Sequence, residues 1–317
     1  MVAERILAWF CKRPDEVGYD DPTDAAALAR REVPSDPLKD LRREFPDLGE
    51  IVHDRDVLDF GCGFGDQAGA LAREFGARVT GLDKHRGLLA AATDRYGKVA
   101  RFTDHLDDES FDVVLSQDAM EHVDDPAAAL TTMARALRPG GRILITFGPP
   151  WWAPYGAHMR YFCPIPWLQL WFSEETVMAV RGRYRHDGAC HYDEVESGLN
   201  KLSLARFERV VRESGLETIE RHYAAVKKLQ FLTSVPLVRE LTTVLVSTVL
   251  TTSQRPPRER PSVNAVKVAS FCPDRATLTI PSRHLQRDPT SGPPQPAARR
   301  KDRESRRRPA PRKVPAS

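Results

Sequence analysis

Short apolar runs of strand length alternate with stretches of helical periodicity between residues 56 and 147. The pattern predicts strands and helices in strict alternation along the chain: strands at 57–60, 78–82, 99–103, 111–116 and 142–147, with helices at 66–75, 84–96 and 127–137 between them. Strands separated by helices predict parallel βαβ units, whose right-handed crossovers place helices on both faces of one sheet. The expected fold class is therefore α/β, with a doubly wound and mostly parallel sheet.

The pattern before this region is different. Residues 1–50 are loosely helical, and Asp36-Pro37 predicts the start of a helix that ends at Phe45, before Pro46. We expect residues 1–50 to form an N-terminal helical cap on a main domain that covers residues 51–252.

The alternation also breaks after residue 147. Residues 148–200 are rich in proline and aromatic residues, so we expect an inserted aromatic cap segment there. A helix is predicted to resume at Ser203, followed by two β-rich segments at 217–226 and 244–252.

The charge of the chain adds a third region. Residues 253–317 hold 16 basic and 5 acidic residues and 12 of the 25 prolines. Residues 1–252 hold 31 basic and 39 acidic residues, so the net charge of +3 is the sum of two regions of opposite charge. A basic, proline-rich segment with little apolar content cannot bury enough surface to offset its ordering entropy. We therefore predict a disordered C-terminal tail at 253–317.

Cysteine usage and hydropathy exclude several classes of protein. Five cysteines without a CxxC pair give no support to a disulfide framework, a zinc ribbon or a dithiol redox site, and we expect free thiols and no metal site. Glu4 and Arg5 interrupt the apolar N-terminus, and Arg239 and Glu240 interrupt the apolar stretch at 229–250. We expect no membrane span and a cytoplasmic location.

The most informative segment is the glycine loop at 61–65. Gly61, Gly63 and Gly65 follow a buried strand directly and precede a helix, so the backbone can approach a ligand closely. A merely tight turn is the alternative interpretation. A dinucleotide-binding loop requires a third glycine where this chain has Asp66, and an acid beside a pyrophosphate is electrostatically unfavourable. A neutral or cationic ligand such as S-adenosylmethionine fits better.

Four segments in order then resemble a known family. VLDFGCGFG, GLD, SFDVVLSQDAMEHV and LRPGGRILIT, within residues 50–150, are similar to the motifs of class I S-adenosylmethionine-dependent methyltransferases of the type 11 group. The later ELTTVLVSTVLTT resembles the antiparallel last strand of that fold. The resemblance implies a Rossmann-like sheet of seven strands, the final pair forming a hairpin, and S-adenosylmethionine as cofactor.

The resemblance also implies roles for single residues. The matching cofactor-binding positions are Asp59, Gly61 and Gly63 around the methionine half, Gly65 near the adenosine, Asp83 at the ribose, Asp104 at the adenine and Gln117 beside the methyl group. Asp83 has an alternative role as a helix cap, and the stretch after Asp104 is shorter than is usual in the family.

The acceptor is expected to bind beside residues 148–162, because ligands of open α/β sheets lie outside the carboxyl ends of the strands. His158 is the candidate general base, since the pKa of a histidine lies near neutrality; a role as a packed lid residue is the alternative. Weaker candidates are Tyr155, Arg160, Tyr161 and His191, and we expect His122 to serve packing.

Three functions remain open at this point. The leading hypothesis is methyl transfer to a small or medium-sized acceptor, at oxygen, such as a sugar, a lipid-linked glycan or a secondary metabolite. The second is a nucleic-acid or protein methyltransferase that recruits its substrate through the basic tail, and the third is a non-catalytic binding protein. Because residues 1–252 are acidic, we expect no nucleic-acid partner, and weak contacts of the tail with anionic surfaces.

Overall fold

The computed structural model describes residues 2–17, 33–106, 110–195, 198–226 and 230–252. The predicted tail at 253–317 lies outside the described residues. In chain order the helices are α1 (Val2–Phe10), α2 (Lys39–Glu44), α3 (Leu48–Val52), α4 (Asp66–Phe75), α5 (Arg86–Tyr96), α6 (Pro126–Ala136), α7 (Leu168–Trp171), α8 (Glu174–Arg181), α9 (Leu204–Glu213) and α10 (Pro236–Thr242). The strands are β1 (Asp56–Phe60), β2 (Arg78–Leu82), β3 (Arg101–Thr103), β4 (Phe111–Gln117), β5 (Leu137–Phe147), β6 (Leu216–Ala225) and β7 (Thr243–Thr252).

Within the described ranges one sheet of seven strands has the order β3-β2-β1-β4-β5-β7-β6. The first five strands pair in parallel, and β7 lies antiparallel between β5 and β6. The predicted α/β class and the mostly parallel, seven-stranded, Rossmann-like sheet are therefore confirmed. The chain between β6 and β7 includes α10, so these two strands pair without forming a tight hairpin.

The sheet is buried on both faces. Along β4, Val113 packs into the cluster formed with α2, α3 and α4, whereas its neighbour Val114 packs into the cluster formed with α6 and α9. Successive strand residues point to opposite faces, and parallel strands covered by helices on both sides are apolar at nearly every position. This arrangement explains why the strands are continuous apolar runs in the sequence.

A third buried cluster forms beside the sheet. It contains Leu7 of α1, Phe162, Val177 of α8 and Tyr192. Most of the aromatic segment after β5 therefore packs as a core of its own. The division of the chain into a cap, a main domain and an insertion at 148–200 stays a prediction.

Several element boundaries differ from those expected from the sequence. Helix α2 begins at Lys39, because the Asp36 carboxylate accepts a hydrogen bond from the Leu38 N–H (3.1 Å) instead of capping a helix at Pro37. Helix α5 begins at Arg86, and β3 is shorter than predicted because Val99 and Ala100 still donate hydrogen bonds to the Tyr96 carbonyl.

Strand β5 also starts earlier than predicted. The Pro139-Gly140-Gly141 turn lies within the strand as an irregularity, where the register against β4 shifts between Phe111 and Val113. None of the helices in the described parts of the chain is long and apolar enough to cross a bilayer.

Candidate active site

The glycine loop leaves β1 in a backbone conformation that favours glycine. Gly61, Gly63 and Gly65 have φ angles of 79°, 51° and 73°. A Cβ on Gly61 would lie 2.7 Å from the Cβ of Ala119, and one on Gly65 would lie 2.6 Å from the Phe102 ring. Gly63 has nothing within 4 Å of its Cβ position. The outer glycines therefore allow close packing, whereas the middle one faces open space.

Asp59 lies at the base of this loop. It is 2% exposed, and its Oδ1 accepts a hydrogen bond from the Gln67 side chain (3.0 Å). Its Oδ2 has no hydrogen-bond partner among the described residues. Burial, and next the negative charge of Asp83, raise the pKa of the Asp59 carboxyl to about 7. A cationic ligand in contact with Asp59 would therefore stabilise the charged form of this carboxylate.

These groups surround a cleft of about 300 Å³. Its lining includes Asp59, Gly61, Gly63, Gln117 and Asp118, and none of the described residues that line it is basic. Asp59 Oδ2 and Gln117 Oε1 are both buried acceptors without a donor from the described chain. An ammonium group supplies such donors, and glycine backbone permits close approach. The residues present therefore fit the amino-acid half of S-adenosylmethionine.

The Asp83 carboxylate bonds to the backbone of the glycine loop. Its Oδ2 accepts a hydrogen bond from the Gly63 N–H (2.9 Å), and its Oδ1 accepts one from the His85 N–H (2.8 Å). Asp83 is not among the residues that line the cleft. A carboxylate has about four acceptor positions, so these two bonds leave capacity for ribose hydroxyls. The ribose role stays a prediction.

Asp104 lies at the end of β3, on the rim of the same sheet edge. Its carboxylate contacts Arg86 Nε (3.2 Å) and His105 Nδ1 (2.8 Å). The hydrogen bond from His105 chiefly lowers the pKa of Asp104. Its contact with adenine stays a prediction.

His158 and His122 line a second cavity of about 310 Å³. Their ring centroids are 5.3 Å apart in an edge-to-face arrangement. His158 lines this cavity and not the cleft under the glycine loop. His122 is predicted from the sequence to serve packing, whereas the structure brings its ring against the ring of the candidate base.

Backbone carbonyls determine the tautomer of both rings. His122 Nδ1 contacts the Gly198 carbonyl (2.7 Å), and His158 Nε2 contacts the Pro149 carbonyl (3.3 Å). A carbonyl only accepts, so these nitrogens bear the protons and the opposite nitrogen of each ring is free of a proton. Burial lowers the pKa of His122, and burial together with His122 lowers the pKa of His158 to about 4. Both rings are neutral at pH 7.

Glu121 lies in the sequence between Asp118, which lines the cleft, and His122, which lines the second cavity, and it is not among the residues predicted to be functional. Its Oε1 accepts a hydrogen bond from the Gly148 N–H (2.9 Å), which ties the segment after β4 to the segment after β5. The Asn200 side chain donates to the carbonyls of Met120 and Val123 (2.8 and 2.7 Å). Burial raises the pKa of Glu121 to about 8. Glu121 belongs to the segment SFDVVLSQDAMEHV, but Gly148 lies 27 residues further along the chain, so the sequence pattern does not indicate their contact.

The weaker candidates do not all line the second cavity. Tyr161 lines it, whereas Tyr155 stacks with Arg160, whose guanidinium carbon lies 5.0 Å from the ring centre. His191 lines a different cavity, of about 510 Å³, in which its Nδ1 is 3.7 Å from Glu174 Oε1. Among the described residues, no group of three or more His, Cys, Asp or Glu side chains is arranged to hold a metal ion.

The strand order and the glycine loop above an acidic cleft together define the class of protein. They are the features of a class I methyltransferase fold, with β7 antiparallel beside β5. Residues 58–145 match the family model described as a methyltransferase domain. The resemblance stated from the sequence is thereby confirmed for these residues, which form a methyltransferase domain of the class that uses S-adenosylmethionine as cofactor.

Similar proteins act at different atoms. Phosphoethanolamine N-methyltransferase 2 of Caenorhabditis elegans is 33% identical over 119 residues, which are 34% of this chain and 26% of that protein. Ubiquinone biosynthesis O-methyltransferase of Hydrogenovibrio crunogenus is 32% identical over 119 residues, which are 34% of this chain and 49% of that protein. The matched region thus spans about a quarter to a half of the length of these relatives.

A solved structure is also similar to part of this chain. Phosphoethanolamine N-methyltransferase 2 of Haemonchus contortus, in complex with S-adenosyl-L-methionine, is similar with a TM-score of 0.44 and 19% identity, over 68% of this chain and 52% of that chain.

Proposed function

We propose that this protein transfers a methyl group from S-adenosylmethionine to a hydroxyl oxygen of a small or medium-sized acceptor, such as a sugar, a lipid-linked glycan or a secondary metabolite. The cofactor binds in the cleft under the glycine loop. The acceptor binds in the cavity that His122 and His158 line.

One observation supports the oxygen acceptor above all others. Two neutral histidines with fixed tautomers lie together on one cavity wall, and His122 follows five residues after Gln117, which lines the cofactor cleft. A hydroxyl acceptor needs a general base, whereas an amine needs only to be deprotonated. A neutral imidazole is able to accept this proton.

Different residues serve cofactor binding and proton transfer. S-adenosylmethionine, when bound, supplies an electrophilic methyl group on a sulfonium. Asp59 and Gln117 offer acceptors to its ammonium group, and Gly63 leaves room beside the backbone. The cavity wall orients the acceptor for in-line attack, which provides much of the rate acceleration. His158, or His122 beside it, accepts the hydroxyl proton.

A nitrogen acceptor is the competing candidate, because one relative is named a phosphoethanolamine N-methyltransferase. In the other alternative, the tail at 253–317 recruits a nucleic-acid or protein substrate. This tail lies outside the described residues. Both alternatives predict a different labelled product, and the tail hypothesis also predicts activity that falls steeply with salt.

The test is incubation of the full-length protein with methyl-labelled S-adenosylmethionine and cell extract, followed by identification of the labelled product. We expect a small molecule methylated at oxygen, together with S-adenosylhomocysteine, and no product with the Gly63→Arg variant. Label on nitrogen would exclude the hydroxyl acceptor. Label in nucleic acid or protein would exclude the small acceptor altogether.

A further inference from the structure

The cavity that contains the two histidines has a basic wall. Arg181 and Arg185 line it together with Tyr161, and none of the described residues lining it is acidic. The cofactor cleft, in contrast, has three carboxylates and no cation among its lining residues in the described part of the chain. A wall of this kind attracts an anionic ligand.

Arg181 is held in place by a bidentate ion pair. Its side chain is 4% exposed, and its two terminal nitrogens bond to the carboxylate oxygens of Asp187 at 2.7 and 2.6 Å. Asp187 also accepts a hydrogen bond from the Ala189 N–H (3.2 Å). A guanidinium has five N–H donors, so this pair fixes the group and leaves donors for a ligand in the cavity.

Tyr161 supplies the second polar group. Its hydroxyl is buried against the Arg181 guanidinium, and it has no partner at good hydrogen-bond geometry within the described parts of the chain. The Arg185 guanidinium carbon lies 4.6 Å from the centre of the Tyr161 ring, so the phenol and the cation face the cavity as one unit. A buried hydroxyl without a partner is costly, and a ligand acceptor would remove this cost.

We infer that the methyl acceptor bears an anionic group, a carboxylate or a phosphate, which Arg181, Arg185 and the Tyr161 hydroxyl bind in the cavity beside His122 and His158. This inference rests on the proposed function. The anionic group anchors the acceptor at the basic wall and leaves its hydroxyl to the histidines. A cavity of about 310 Å³ is of the size that encloses a small molecule.

The first test measures binding of the isolated anions. The full-length protein, saturated with S-adenosylhomocysteine, is titrated calorimetrically with inorganic phosphate and separately with acetate, at constant ionic strength. We expect saturable binding of at least one of the two, and the stronger one identifies the group. Binding of neither anion overturns the inference.

Variants locate the binding. Arg185→Gln is expected to weaken the anion affinity at least about tenfold and Tyr161→Phe about threefold, because charge-assisted hydrogen bonds contribute more than neutral ones. Arg183→Gln removes the same charge from an exposed neighbour and is the matched control, which we expect to bind like the parent. Equal affinities in the parent and in Arg185→Gln overturn the inference, since binding then takes place elsewhere, for example at the basic tail.

A parallel titration with S-adenosylmethionine separates this inference from the proposed function. Arg185→Gln is expected to keep the cofactor affinity of the parent, because Arg185 does not line the cleft. A protein that binds phosphate through Arg185 but does not bind S-adenosylmethionine contradicts the proposed function alone. A protein that binds the cofactor but no anion contradicts only the anionic acceptor.

Discussion

The cofactor cleft and the acceptor cavity are built in opposite ways. The cleft is formed mostly by consecutive residues at 59–67 and by the end of β4, so the backbone itself shapes it. The cavity is formed by side chains from four separate segments, which include His122, His158, Arg181 and Leu199. A backbone-built site recognises a constant ligand, whereas a side-chain-built site can change its ligand with its sequence.

Their electrostatics are also opposite. The cleft holds Asp59, Asp66 and Asp118, and the cavity holds Arg181 and Arg185. Burial favours the neutral form in both places, raising the pKa of Asp59 to about 7 and lowering that of His158 to about 4. This difference is the basis for proposing an anionic acceptor opposite a cationic methyl donor.

The largest expected effect is loss of the cofactor site. Gly63→Arg places a long cation in the open space beside Asp59, so we expect the affinity for S-adenosylmethionine to fall at least about a hundredfold, measured by calorimetry. Gly215→Arg is the matched control, because Gly215 also has a positive φ (74°) and nothing within 4 Å of its Cβ position. Unchanged cofactor affinity in Gly63→Arg would mean that the ligand lies elsewhere.

The next effect concerns the acceptor cavity alone. We expect His158→Ala to lower kcat about a hundredfold while the cofactor Kd stays constant, because a general base contributes at least this factor and the ring does not line the cleft. The rate is measured with the acceptor identified in the labelling screen.

Two further variants test whether a loss of activity in His158→Ala results from misfolding. His158 has a φ of 56°, so His158→Asn keeps a residue that tolerates this conformation while removing the base. His222→Ala, at an exposed histidine of β6, is the control for a surface change. Full activity of His158→Asn assigns the base role to His122 or removes it from both.

The smallest effect concerns Glu121, which joins the two regions. Its pKa is raised from 4.5 to about 8, so the folded protein keeps a proton that the unfolded chain releases, and stability falls as pH rises between these values. Glu121→Gln keeps an acceptor for the Gly148 N–H and removes this loss. We expect the variant to be more stable than the parent by about 1–2 kcal/mol at pH 8, with a smaller difference at pH 5.

Urea unfolding at pH 5 and pH 8 measures this difference. Glu217→Gln, at an exposed position of β6, is the control and is expected to change neither value. A Glu121→Gln variant whose stability relative to the parent is the same at both pH values would show that Glu121 does not titrate as described.

Most of the sheet could be predicted from the sequence. Each of β1, β2 and β4 is a buried apolar run between turn residues, and such runs form strands wherever helices cover both faces. Boundaries were less predictable where local polar contacts compete with the helix. At α2, for example, the Asp36 side chain bonds to the Leu38 N–H outside the helix.

The sequence by itself determined the glycine loop, because the positive φ angles at Gly61, Gly63 and Gly65 are a property of residue type and spacing. Only the tertiary structure brought Glu121 to Gly148, and His122 to His158 and Arg181. These residues are up to 60 positions apart and belong to no shared motif. Contacts of this kind depend on how the segment after β5 packs against the end of β4, which residue types and local periodicity do not specify.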